Sequence, residues 1–131
     1  MQFKPAMIEA IKAGRKTQTR RPVKNGDRST RIGRMGDHGF IEDVVFHVMD
    51  ANGRGRWRLF GIYSLCPGRG KARVGLIKVN CIRLESVSEI SEADARAEGF
   101  ESREAFLAAW KNLYPKSDLQ ENVWVLEFRL A

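Results

Sequence analysis

Gly14-Arg15-Lys16-Thr17-Gln18-Thr19-Arg20-Arg21-Pro22 is the stretch on which the reading of this chain turns. Its threonines alternate with long polar side chains, the pattern of an extended segment with little core-facing surface. Pro22 steers Arg21 away from the helical region. Just upstream, Pro5 suits the first turn of a helix, where a missing N–H costs nothing. Ala6, Met7, Ile8, Ala10 and Ile11 then recur at helical spacing, and Gly14 supplies the stop. The spacing predicts a short helix over about residues 5–13 that hands on to a cationic extended segment.

Working outward, Asn25-Gly26 signals a turn. Residues 26–40 are rich in Gly, Arg and Asp and read as an irregular loop, which at ~15 residues is either functional or disordered. Phe40 to Met49, with Val44, Val45, Phe46 and Val48, reads as a strand ended by the turn Asp50-Ala51-Asn52-Gly53. Trp57-Arg58-Leu59-Phe60 begins a second strand running toward Tyr63, so the two make a hairpin. Cys66 to Lys71 is a loop, and Val74 to Val87 a long apolar strand. Ser91 then caps a helix to about Glu98, with Asp94 as the acidic member of a capping box and Gly99 as the stop. Ser102 caps another, with Phe106, Leu107 and Trp110 on its apolar face. Val123 to Phe128 closes the pattern as a buried strand. There is no repeat and no boundary, so residues 1–131 are expected to be a single α+β domain, a small mixed β-barrel with short helices.

Composition limits the partners. Residues 1–85 carry 18 basic and 7 acidic side chains, residues 86–131 only 5 and 9. So uneven a distribution predicts a one-sided positive field suited to a polyanion, or else a solvated cationic face. No stretch approaches the ~20 apolar residues that span a bilayer, and Met1 to Ala13 lacks a secretory pattern. No membrane partner and a cytoplasmic location are the expectations. Cys66 and Cys81 alone cannot build a four-ligand zinc site, and His38 and His47 are not spaced around them as in a finger. No metal or cofactor is expected, and two reduced thiols are.

Gly14 through Arg21 resembles the opening signature of ASCH domains, which belong to the PUA-like barrels. Tyr63 through Pro67-Gly68-Arg69-Gly70-Lys71 is similar to a loop of phage and bacterial members. Ile90-Ser91-Glu92 through Ala95-Arg96-Ala97-Glu98-Gly99-Phe100 resembles their characteristic helix, and Trp110 with the Val123–Phe128 strand also fits. The resemblance covers most of the chain except residues 28–60. It implies a PUA-like fold and an RNA-binding or RNA-acting module. One small bacterial member hydrolyses the acetyl amide of N4-acetylcytidine with a lysine, a threonine and a glutamate. By motif position these correspond to Lys16, Thr19 and Glu98. Gln18 and Arg20-Arg21 replace apolar and acidic neighbours in that enzyme.

Those residues admit two chemistries. A threonine hydroxyl attacks only if a neighbouring base takes its proton. Lys16 can be that base if burial and the cations Arg15, Arg20 and Arg21 lower its pKa, whereas Glu98 beside it would raise it. In an ideal strand residues 16 and 19 point to opposite faces, so they converge only if the segment bulges or turns after Gly14. Alternatively, Lys16 and Glu98 form a salt bridge pinning the segment to the helix, and Thr19 is an ordinary strand residue. For nucleic acid, Arg15, Arg20 and Arg21 offer guanidinium forks to phosphate. Arg69 and Lys71 sit between glycines in a loop whose backbone can approach an anion, without the spacing of a Walker A motif. Tyr63 can stack on a base, and Trp57, Trp110 and Trp124 are expected in the core. The leading expectation is RNA or a nucleoside or nucleotide bound at a basic cleft. The alternatives are an amidohydrolase acting on an acylated cytidine, or a ribonuclease, using Lys16, Thr19 and Glu98. A third reading is docking of an unidentified protein on the acidic 86–121 region.

Overall fold

A computed structural model describes residues 1–131. The chain order is α1 (Pro5–Lys12), β1 (Gln18–Pro22), β2 (Arg28–Met35), β3 (Ile41–Met49), β4 (Gly55–Arg58), β5 (Ile62–Leu65) and β6 (Gly75–Ser86). It continues through a 3-10 turn (Val87–Glu89), α2 (Glu92–Ala97), α3 (Arg103–Leu113) and β7 (Asn122–Leu130). Two antiparallel sheets form, one ordered β1-β7-β6-β5 and the other β2-β3-β4. The architecture is mixed α+β, with curled sheets making a barrel-like shell and three short helices.

The run Val123-Trp124-Val125-Leu126 explains the layering. β7 is central in its sheet, and its alternating side chains enter two separate cores. Trp124 and Leu126 pack with Val45 and Val48 of β3, Trp57 of β4, and Val79 and Ile82 of β6, in the space between the sheets. Val123 and Val125 face the other way, against Ala95 of α2 and Phe106 and Trp110 of α3. A third cluster seats Ile8 and Ile11 of α1 on Leu65, Ile77 and Phe128. A strand covered on both faces has no reason to alternate polar and apolar, so its sequence reads as one apolar block.

Local signals set the helix ends. Pro5 opens α1, and Gly14 follows it at φ +79°, a conformation glycine adopts without a Cβ penalty. Ser91 Oγ accepts the Asp94 N–H and Ser102 Oγ the Ala105 N–H, capping α2 and α3. Asp94 does not complete the expected capping box. Its carboxylate turns inward to Gln18 and Arg83.

Two expectations need correction. Residues 26–40 are not an irregular loop: residues 28–35 are β2, paired antiparallel with β3 from Arg28↔Met49 to Met35↔Ile41. Nearly every β2 side chain is exposed, so the strand has no apolar alternation by which to announce itself. Cross-strand pairs Arg31–Asp43 and Arg34–Glu42 decorate it instead. Nor is Trp57 to Tyr63 one strand. Leu59 N–H still donates to Phe46 O of β3, whereas Phe60 N–H already donates to Val79 O of β6. Phe60 makes the corner in the left-handed region (φ +65°), so β4 and β5 belong to different sheets.

A buried turn residue ties the sheets together. The Asp27 side chain, 0% exposed, accepts Trp124 Nε1–H at 3.0 Å and Lys24 N–H at 2.8 Å and pairs with Arg56. Those hydrogen bonds and the guanidinium outweigh burial and hold its carboxyl below the usual range.

Candidate nucleotide-sized hollow and its charged floor

β1 is reached through a clamp. Arg15 and Lys16 N–H both donate to Ala10 O at the end of α1. Thr17 N–H then donates to Ala97 O at the end of α2, and Thr17 O accepts Phe128 N–H from β7. This turn after Gly14 removes the difficulty of strand alternation: Lys16 precedes the strand, and it and Thr19 line one hollow of about 320 Å3. Glu98, the residue that ends α2, lines the same hollow, as do Arg20 and Arg21. The rest of the lining is aromatic and aliphatic: Phe3, Phe100, Phe106, Trp110, Leu113 and Tyr114. Trp110 and Tyr114 lie with ring centroids 4.6 Å apart. The volume falls at the lower end of the roughly 300–1,000 Å3 typical of small-ligand sites.

Lys16 and Glu98 are both buried. Lys16 Nζ donates to Gln18 O at 2.7 Å, Glu98 O at 2.7 Å and Glu98 Oε1 at 3.1 Å. Its three protons are thus matched by three acceptors, none of them Thr19. Even so, burial pulls the Lys16 ammonium below its ordinary value. Glu98 pushes it back up, while Arg21 and then Arg20 press it down. Arg15 is exposed, over a separate depression beside Arg96 and Phe100.

Arg20 has no exposed side-chain surface. Its Nη2 meets Glu85 at 2.5 Å and Asp94 at 3.5 Å, and its Nη1 meets Glu98 at 3.2 Å and Gln18 Oε1 at 3.0 Å. Arg83 extends the network to Glu85, Asp94 and Glu127. The cationic N-terminal segment and the acidic later residues therefore meet inside the protein, and Arg20 is committed to carboxylates. Arg21 differs. It donates through Nη2 to Gln2 O at 3.0 Å, lies 5.0 Å over the Phe3 ring, and faces no carboxylate within ion-pair distance. Burial lowers its pKa, but a guanidinium stays charged.

The remaining candidates are dispersed. Arg69 and Lys71 are exposed on the loop after β5, whose first residue, Cys66, bridges to Gln2 at the edge of the hollow. Tyr63 lies elsewhere, in a groove with His47, Arg56 and Arg58, where its hydroxyl accepts Arg58 N–H at 2.7 Å. Trp57 and Trp124 are core residues, while Trp110 is both core and wall. Phe100, Leu113 and Tyr114 were not singled out by the sequence. For Leu113 and Tyr114 the signal was the continuation of the Phe106–Trp110 stripe by three and four residues to the end of α3; Phe100, between α2 and α3, carried none. No group of three or more His, Cys, Asp or Glu side chains is arranged to hold a metal ion. No helix is long and apolar enough to cross a membrane.

Fold and hollow together define a small barrel-like α+β protein with an aromatic-walled, charged-floored cleft. No family model matches the chain, and no curated protein does. Among solved structures it is similar in fold to the crystal structure of protein EF3133 from Enterococcus faecalis V583, assigned to family DUF984. The TM-score is 0.60 at 13% identity, covering 94% of this chain and 68% of the other. That likeness concerns the fold alone.

Proposed function

We propose that this chain is an ASCH-type, PUA-like protein that binds a nucleoside or nucleotide unit of RNA in the hollow beneath α3. The observation carrying this reading is that one cavity joins an aromatic wall to an arginine without a carboxylate partner. Bases stack on aromatic rings in a sequence-tolerant way, and guanidinium groups match phosphate oxygens. In this reading the base enters between Phe106, Tyr114 and the Phe100 side. Arg21 receives a phosphate at the rim, and Arg69 and Lys71 extend the cationic border beyond Gln2. Arg20 contributes indirectly, by holding Glu98 and the floor in place.

The test is titration of a short single-stranded RNA by fluorescence anisotropy at several salt concentrations. Affinity should fall steeply with salt, and Arg21→Ala should flatten log Kd against log[salt] by about 0.7 for the lost phosphate. A complementary Arg69→Ala/Lys71→Ala variant should weaken binding further. Affinity that ignores salt and survives all three substitutions counts against the reading.

A second reading is hydrolysis of an acylated cytidine, motivated by a Lys16 whose burial lowers its pKa beside Thr19. Thr19 Oγ would attack the acyl carbon as neutral Lys16 accepts the hydroxyl proton. The amine then leaves with a proton from Lys16, and water releases the acyl group from Thr19. Lys16 must first turn away from the carbonyls that hold it. Chromatography of N4-acetylcytidine incubated with protein tests this: cytidine should form, and Thr19→Ala should abolish it. Full turnover by folded Thr19→Ala would sink it.

A further inference from the structure

A second hollow, of about 500 Å3, is lined by Pro22, Val23, Leu113, Tyr114, Pro115 and Lys116, among others. It shares Leu113 and Tyr114 with the first. The two lie end to end because the same two segments run through both. Thr19, Arg20 and Arg21 line the first and Pro22 and Val23 the second; opposite them Trp110 lines the first and Pro115, Lys116 and Ser117 the second. From Thr19 to Val23 extended chain advances about 13 Å. Stacked bases succeed one another about every 3.4 Å, so the combined trough is longer than one nucleoside needs.

Its chemistry continues that of the first. Val23 and Leu113 are exposed apolar side chains that leave a face uncovered. Glu121, the acidic residue of this hollow, accepts through Oε1 from Trp110 Nε1–H at 3.0 Å and Ser117 Oγ–H at 2.6 Å, which orient its carboxylate without neutralising it. Lys116 faces no carboxylate within ion-pair distance and is exposed. Arg21, at the junction, is likewise without one. The order along the trough is thus aromatic wall, a guanidinium without a carboxylate, apolar shelf and an ammonium without one, which matches base, phosphate, base and further phosphate.

Resting on the reading above, we propose that the site is built for a dinucleotide step within an RNA strand. The second nucleoside sits on the Pro22–Val23 shelf, and the linking phosphate on Arg21. Tyr114 is the partition between the two bases. A free nucleoside fills only half of the trough.

Isothermal titration calorimetry with cytidine, cytidine 5′-monophosphate and the dinucleotide CpC tests this. CpC should bind roughly 10- to 100-fold more tightly than the mononucleotide, the gain expected from one further stacked base. The exposed substitutions Val23→Asp and Lys116→Glu should erase that gain and leave mononucleotide affinity unchanged. If the mononucleotide binds and CpC binds no better, the second subsite is overturned and the first reading stands. If Val23→Asp weakens mononucleotide and dinucleotide equally, the two hollows are one site and the proposal falls. If none of the three ligands binds, both readings fall together.

Discussion

Replacing Glu98 by Gln removes the carboxylate that Lys16 and Arg20 share, and the structure says where the cost lands. Arg20 keeps Glu85 and Asp94, so its charge stays matched. Lys16 keeps two carbonyl acceptors but loses its only anionic partner. Breaking a buried pair outright costs about 3–5 kcal/mol. Because the amide still accepts one hydrogen bond, about 2–3 kcal/mol is expected for Glu98→Gln. Lys16→Met should cost about 3 kcal/mol, since it leaves the Gln18 and Glu98 carbonyls without their donor. The double variant leaves no unmatched ammonium, so it should be little worse than the poorer single, a coupling of at least about 1.5 kcal/mol. Urea unfolding followed by tryptophan fluorescence measures all four corners of the cycle. Losses that simply add, within about 0.5 kcal/mol, would refute the claim that these side chains are one buried unit.

The pH dependence of the same pair gives an independent check. Below the folded pKa of Lys16 both folded and unfolded chains hold its proton, and well above the ordinary 10.5 neither does. Between the two, the unfolded chain holds a proton that the folded chain has released, so stability rises with pH across that window. The stability difference between the native protein and Lys16→Met should therefore widen as pH climbs toward 10.5. Glu98→Gln should move the onset to lower pH, because it removes the group that pushes the ammonium back up. A difference that narrows on the way to that pH would mean that attraction to Glu98 outweighs burial.

Two more outcomes are expected. Asp27→Asn should destabilise by about 1–3 kcal/mol at neutral pH, since it takes a charge-assisted bond from Trp124 and the counter-ion from Arg56. Asp27's folded pKa is depressed, so its contribution is present above 3.8 and lost as acid takes the pH below that value. Thermal melts of both proteins should converge only there, and a gap unchanged at lower pH would argue against the assignment. Gly99→Ala should cost about 1–2 kcal/mol, because Gly99 has φ +99° and an added Cβ would stand 3.3 Å from Met7 Sδ and 3.6 Å from Lys16 Cβ. It should also weaken nucleotide binding by pushing aside Met7, which lines the hollow. An unchanged melting temperature would show that the turn tolerates a side chain.

The parts of this fold that advertise themselves in sequence are those decided locally or by burial. The serine caps of α2 and α3 need only a hydroxyl and the next turn. β6 and β7 need only an apolar run. β2 failed that test because water covers both its faces, leaving backbone pairing to β3 as its main support. The corner at Phe60 failed because it is made by hydrogen bonds to two different strands. At the site, the convergence of Lys16, Thr19 and Glu98 came from motif resemblance, not from spacing. The partners of Arg20 were beyond reach, since Glu85 and Glu98 lie 65 and 78 residues further along. An arginine bound for a backbone carbonyl and one bound for three carboxylates look alike in a string of letters. Only the fold separates Arg20 from Arg21.

The floor of the cleft is a pairing of early and late chain: Gln18 lies beside Glu127 and Thr19 beside Leu126. At about 5–20 residues per second, a ribosome needs roughly 5–20 s to travel from the one to the other. Throughout that interval Lys16 and Arg20 are made but have no β7 to lie against. A nascent chain thus carries Lys16 and Arg20 unsheltered until the closing strand arrives and completes the sheet over them.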